Sequence, residues 1–318
     1  MASKFHKEAI SKIPQEKRDQ MLDELRQISA EAETTKKRDM TVTAEMVNDL
    51  RLKTGAGIMA CKKALQESEG DTEKAIDFLR KKGEKLNEQK VGRASKEGVV
   101  YGLTSDDSSG GAIAHISCET DFVAKNEEFI DFARNFAHDV LTNAHKKNSI
   151  EDASFMNRVA DLVVKMGEKI KFEYYHWIGG NYVVAYNHPN YKMAVLVSFN
   201  KRTELGRDIA MQIAAMSPLA IDKNGISSDV LDREKAIIRD QILAEGKPEN
   251  MVEKISAGKL QKFYKESTLL NQQFIKDSKK TVTEVLRESD KDLLIESFVR
   301  IDLDGSIAAL APNLGNAV

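Results

Sequence analysis

An α+β fold is predicted by three features of this 318-residue chain. Short apolar or alternating runs flank polar turns, as strands do. Helix-period segments with one apolar face follow them. One strand–turn–strand–helix order occurs twice, which predicts two similar core subdomains, each an antiparallel sheet against helices.

The opening segment, residues 1–39, is a charged helical extension. Ile10, Ile13, Met21, Leu22, Leu25 and Ile28 recur at roughly helical spacing and predict a helix over about 15–31, with Pro14 compatible with its first turn. The run Glu31–Asp39 reads as a linker. Residues 40–83 predict a three-helix module. Thr43 caps a first helix carrying Met46, Val47 and Leu50, and Gly55-Ala56-Gly57 breaks it. Ile58, Met59, Ala64 and Leu65 mark the second helix, which Gly70 closes. Asp71 caps the third, with Ala75, Ile76 and Leu79, and Gly83 is its expected end. So small a unit suits docking better than independent chemistry. The polar stretch 84–97 reads as a linker or loosely packed helix.

The first core subdomain is expected over 98–178. It has strands at 98–104 and 112–118 around a turn at Asp106–Gly111. The alternation of AIAHISC predicts a half-buried second strand. A helix at about 127–144 follows, with Phe129, Phe132, Phe136, Val140 and Leu141 on its apolar side, then a helix at about 153–166 and a strand at about 169–178. The second subdomain takes 179–225 and 267–306. Its strands are Tyr182–Tyr186 and Lys192–Phe199, and its helix carries Ile209, Ile213 and Met216. A short helix at 281–288 and a strand at 292–303 complete it. Between its two parts, residues 226–266 predict a projecting antiparallel helical hairpin around Gly246-Lys247-Pro248. Val230, Ile237, Ile238, Ile242 and Leu243 are placed to face Met251, Val252, Ile255 and Leu260. The tail, 307–318, predicts no element.

Composition excludes several function classes. A net charge of -2 lacks the basic excess that binding to a nucleic-acid backbone requires. No apolar run approaches the roughly 20 residues that span a bilayer, and the N-terminus has no signal core. The expected location is cytoplasmic, with neither membrane nor direct nucleic-acid contact. Cys61 and Cys118 match no metal or redox spacing and suit reduced core thiols. His138 and His145 lack a neighbouring acid or thiol at ligand spacing, and His115 is expected to be satisfied or solvent-facing, so no metal is expected. Gly55-Ala56-Gly57 is no phosphate loop, since no GxxxxGK[ST] follows.

The connection Thr120-Asp121-Phe122-Val123-Ala124-Lys125-Asn126 stands out, between a strand and a helix. Asp121 could cap a short helical turn there. Phe122 is a large apolar residue in a polar turn, a pattern used to anchor interfaces.

Four segments carry a family resemblance. TAEMVNDLRLKTGAGIMACKKAL at 43–65, CETDFVAKN at 118–126, GKPENMVEKISAGKLQKF at 246–263 and LLNQQF at 269–274 resemble elongation factor Ts, in order and spacing. The resemblance implies a ubiquitin-associated-like (UBA-like) N-terminal module and a coiled-coil arm. It implies guanine nucleotide exchange on the GTPase elongation factor Tu, with no catalytic residue and no cofactor. Thr120, Asp121, Phe122 and Val123 would form the loop that disturbs the GTPase's magnesium site, and Arg51, Ile58 and Met59 would dock on its GTPase domain. Asn48 departs from the lysine that relatives often carry. A homodimer or a 2:2 complex with the GTPase is compatible with this. A binding scaffold built on the UBA-like module and a thiol enzyme using Cys118 are the competing readings.

Overall fold

The computed structural model describes residues 42–89, 95–143, 153–245 and 249–310. The helix expected over 15–31, the charged run before Met40, the Gly246–Pro248 connection and the chain beyond 310 lie outside the described residues. Contacts divide the chain into two units, one ending at Lys85 and the other beginning at Leu86.

The first unit holds α1 (Ala44–Thr54), α2 (Ile58–Glu67) and most of α3 (Thr72–Gln89). The Thr43 side chain accepts the Met46 N–H at 3.2 Å, and Asp71 Oδ1 accepts the Lys74 N–H at 3.1 Å. Each satisfies a main-chain donor that the helix itself cannot. Gly55 and Gly70 turn the chain with φ of 68° and 78°, the left-handed conformation that glycine adopts without strain. Val47, Leu50, Cys61, Ala64, Leu65, Ala75 and Leu79 form the core.

Gly83 does not end α3; the helix continues to Gln89, so residues 84–89 of the expected linker are helical. The cause lies beyond the glycine. Leu86 packs on the apolar cluster beneath the first sheet. The Asn87 amide donates to the Ile170 carbonyl at 2.9 Å and accepts its N–H at 3.0 Å.

The second unit contains two larger antiparallel sheets. The first orders β1 (Glu97–Thr104), β2 (Gly110–Cys118) and β3 (Lys171–Gly179) as β1-β2-β3. The second orders β4 (Tyr182–Asn187), β5 (Met193–Phe199), β8 (Ile295–Asp302) and β9 (Ile307–Leu310) as β4-β5-β8-β9. A small ribbon pairs β6 (Gln273–Phe274) with β7 (Asp277–Thr281). The strand β9 falls in the tail where the sequence predicted no element; it pairs with β8 from Ile301↔Ile307 to Phe298↔Leu310.

The sheets lie face to face between helices. On one side of the first sheet, Val99, Ala112, Ala114, Ile116 and Cys118 pack under α5 (Glu127–Asn143) and α6 (Ala153–Met166). On its other side, Val100, Ile113 and Ile178 meet Val183, Ala194, Leu196, Val299 and Ile301 of the second sheet. The far side of that sheet, with Val195, Val197, Phe199 and Phe298, packs against α7 (Gly206–Met216) and α10 (Val282–Ser289). The expectation that β2 is half-buried is therefore corrected. Its residues Gly111–Cys118 are all buried, because the second sheet covers the face that alternation had assigned to water. Gly111 permits the close approach: a Cβ there would meet Val183 Cγ1 at 2.9 Å and Leu196 Cδ2 at 3.0 Å.

The same layering overturns the reading of His115. It is 3% exposed, and its Nε2 has no hydrogen-bond partner; His176 on β3, 2% exposed, is in the same condition. Burial pushes both imidazoles below their ordinary pKa, and Glu173 and Asp304 only partly offset this at His115. The folded state therefore favours the neutral form of each. Stability is full above the unfolded value near 6.5 and falls as pH drops from there toward the lower folded values, by up to about 1.4 kcal/mol per pH unit for each histidine. Urea midpoints at pH 7.5 and pH 5.5 should differ accordingly. His176→Phe should flatten part of the difference, and an unchanged pH dependence would count against this account.

The helical pair α8 (Ser228–Ala244) and α9 (Glu249–Ser267) leaves the body between α7 and β6. Ser227 caps α8 by accepting the Val230 N–H at 3.4 Å. Of the predicted facing positions, Ile238 and Ile242 are buried, one helical turn apart. Val230 and Ile237 are instead 37% and 44% exposed, off that narrow seam, while Leu243, 47% exposed, lines a hollow with Val252 of α9. The base of the pair is tied by main-chain bonds from Leu219 to Ser267 and from Leu269 to Ala220, each 2.8 Å. The buried amide of Gln272 bridges the Met216 and Glu266 carbonyls at 3.2 and 2.8 Å. Among the described residues no helix is long and apolar enough to cross a membrane.

Candidate partner-binding turn

The strand β2 delivers the chain at Cys118 to one end of the first sheet, and α5 begins nine residues later at Glu127. Between them lies α4, the single helical turn Asp121–Ala124. Thr120, not Asp121, is its N-cap: the threonine hydroxyl accepts the Val123 N–H at 3.4 Å. Asp121 sits in the first turn and accepts from Lys125 Nζ at 2.6 Å. That hydrogen bond and charge hold the Asp121 carboxyl below its usual range, so it is ionised near neutrality.

The four residues divide by direction. Val123 is 8% exposed and belongs to the apolar cluster with Cys118 and Phe129. Phe122 points the other way and is 82% exposed, the most exposed large apolar side chain among the described residues. A helical turn separates neighbours by about 100°, so plugging Val123 into the core obliges Phe122 to face outward.

The turn is fastened from a second direction. Glu168, in the connection between α6 and β3, accepts the main-chain N–H groups of Glu119 and Thr120 on Oε2 at 3.0 and 2.9 Å. Its Oε1 accepts the Thr120 hydroxyl at 2.5 Å. Glu119 returns the contact, its Oε1 accepting the Lys169 N–H at 2.8 Å. No motif pointed to Glu168, because it lies 48 residues from Thr120 in sequence.

Cys118 is poorly suited to nucleophilic work. It is buried, its thiol donates to the Thr120 carbonyl at 3.3 Å, and burial together with the nearby Glu168 charge pushes its pKa up to about 12. The thiolate, which is the reactive form, is a minute fraction at neutral pH. Among the described residues no group of three or more His, Cys, Asp and Glu side chains is placed to hold a metal ion.

Cavities lined by described residues lie elsewhere. One of about 330 Å³, with Thr104, Asp106, His138 and Trp177 in its lining, is at the opposite end of β2. Another of about 410 Å³ lies between α8 and α9. Neither is lined by a residue of the turn.

In the first unit, Ile58 and Met59 occupy the first turn of α2 and are 56% and 75% exposed. Arg51 is also exposed, in the last turn of α1. Leu52, beside it and 77% exposed, was missed. Its signal was present: Val47 and Leu50 define the inward side of α1, and Leu52 is off it.

The site is thus a turn fastened on two sides and tipped by an exposed aromatic ring. The family described as Elongation factor TS matches residues 119–304. Elongation factor Ts of Amoebophilus asiaticus is 42% identical over 275 residues, covering 82% of this chain and 99% of the relative. That of Aquifex aeolicus is 41% identical over 288 residues, covering 84% and 99%. That of Cytophaga hutchinsonii is 42% identical over 277 residues, covering 83% and 99%. The chain belongs to the elongation factor Ts family, the elongation factors of protein synthesis.

Proposed function

We propose that this chain is a guanine nucleotide exchange factor for elongation factor Tu, acting in the cytoplasm without breaking or forming a covalent bond. The observation that carries the reading is the exposure of Phe122 on a turn whose neighbours are tied down. Ordering a large side chain on binding costs entropy. A turn already fixed by Thr120, Val123 and Glu168 lowers that cost.

In this reading Phe122 wedges behind the magnesium site of the GTPase. Once magnesium is displaced, the GDP phosphates lose their main counter-charge and GDP leaves. Asp121, ionised, flanks the wedge, and Val123 and Thr120 anchor it. The factor needs only to bind the empty state better than the filled one. Reciprocity then requires bound nucleotide to weaken the factor's own grip. Arg51, Ile58 and Met59 of the UBA-like module dock on the GTPase domain, with Leu52 extending the apolar surface. The pair α8–α9 is the coiled-coil arm. The proposed division is 40–83 for the module, 98–178 for the first core subdomain, 179–225 with 267–306 for the second, and 226–266 for the arm.

The test is release of fluorescent GDP from elongation factor Tu with and without the full chain. Strong acceleration at micromolar chain is expected, and none would overturn the proposal. The exposed Leu52, Ile58 and Met59 also favour a second reading, a UBA-like binding scaffold. That reading predicts affinity for a helical or ubiquitin-like ligand and an unchanged GDP release rate.

A further inference from the structure

The geometry points to Glu168 as the positioning residue of the exchange turn: its carboxylate holds the main chain at Glu119 and Thr120 so that Phe122 is presented in one orientation. This rests on the exchange-factor reading and adds a residue to its machinery. Glu168 touches neither Asp121 nor Phe122 in the bonds described above; it acts through the residues just before them.

The contacts form a clasp with traffic in both directions. One carboxylate oxygen takes two consecutive N–H groups, and the other takes the Thr120 hydroxyl. Glu119 closes it by accepting the Lys169 N–H. The Thr120 hydroxyl has a double duty. Its proton goes to Glu168, which leaves its lone pairs for the Val123 N–H. Glu168 thereby orients the cap that starts the helical turn. Gly167, with φ of 68° and its N–H on the Val163 carbonyl at 2.8 Å, ends α6 and sends the chain back toward the turn.

A carboxylate is the side chain this site requires. All three donors point at its oxygens, and an ionised acceptor makes bonds roughly twice as strong as a neutral one. Glutamine has the same size but is neutral and keeps only one acceptor oxygen; with that oxygen on the two N–H groups, its NH₂ faces the Thr120 hydroxyl, which must then accept instead of donate. Glu168→Gln therefore weakens the clasp, by loss of charge and by reversal of the Thr120 bond, with little change in volume.

The experiment measures GDP release from elongation factor Tu across a range of concentrations of the full chain, for the unaltered chain, Glu168→Gln, Phe122→Ala and the double variant. Loss of hydrogen bonds to a charged group predicts a maximal release rate about 10-fold lower for Glu168→Gln. The half-saturating concentration should change by no more than about twofold if docking lies mainly elsewhere. In the Phe122→Ala background, Glu168→Gln should cost little more, because there is no ring left to position. An unchanged maximal rate, or an equal loss in both backgrounds, overturns the proposal. Amide hydrogen exchange at Glu119 and Thr120, measured without partner, should speed up in Glu168→Gln; unchanged protection likewise overturns it. If the unaltered chain accelerates nothing, the exchange reading fails, and the amide measurement still decides whether the clasp exists. Should Glu168→Gln not fold, Thr120→Val removes the hydroxyl arm together with the cap on the Val123 N–H and leaves the two main-chain bonds to Glu168: a several-fold lower maximal rate is expected, and no loss overturns the proposal.

Discussion

Phe122→Ala lowers the maximal rate of GDP release from elongation factor Tu by roughly 30-fold and leaves the stability of this chain unchanged within about 0.5 kcal/mol. The two halves come from one observation. At 82% exposure the ring contributes little to its own core, so truncation leaves no cavity. In a complex the same ring would be an aromatic anchor, and truncating such anchors costs about 2 kcal/mol or more, which is the stated factor in rate. The loss should fall on the maximal rate more than on half-saturation. A wedge that stabilises only the open GTPase acts on the step after docking, whereas under the proposed function Arg51, Ile58 and Met59 serve the docking itself. Stopped-flow release at several chain concentrations separates the two parameters, and thermal unfolding supplies the stability. An undiminished maximal rate would remove the wedge. A large drop in melting temperature would show that the ring packs against its own domain.

The sequence made the turn legible because its signals are local. A strand ends at Cys118, a helix starts at Glu127, and the apolar residues between them are adjacent in the chain. Most element boundaries were legible for the same reason: Thr43, Asp71 and Gly55 act on neighbours within a few positions. What failed depends on tertiary contact. β2 reads as half-buried because nothing in AIAHISC says that a second sheet covers Ile113. Gly83 reads as a stop because the residues that extend α3, Leu86 and Asn87, find their partners at Ile170 and in the first-sheet core. β9 has four residues of plain composition and exists by pairing with β8. Glu168 is the functional case. A glutamate after a glycine is unremarkable in sequence, and only folding brings it against Thr120.

Phe136→Ala should destabilise the chain by about 3–5 kcal/mol, read as a fall in the urea midpoint with an unchanged slope. Phe136 is 1% exposed at the centre of the aromatic cluster that joins α5 and α6 to β3. Its ring lies 4.7 Å from that of Phe155, 4.6 Å from Phe172 and 5.7 Å edge-on to Tyr175. Phe155 and Phe172 also touch each other, at 4.5 Å, so they cannot close over the space that alanine would leave. The cost is a large share of the roughly 5–15 kcal/mol that holds a typical domain folded. Phe132→Ala is the informative comparison. That ring is only partly buried and lies 6.4 and 6.2 Å from the Phe155 and Phe172 rings, so its loss should cost clearly less. Equal costs would mean that the cluster relaxes around either vacancy. The cluster also reaches function, because Val123 and Phe129, on either side of the Glu127 start of α5, belong to the same buried group. Below its melting range Phe136→Ala should keep its maximal release rate, since Glu168 and Thr120 hold the turn by bonds that do not pass through the ring. Core variants would then lose exchange only as they unfold, while Phe122→Ala and Glu168→Gln lose it in the folded state.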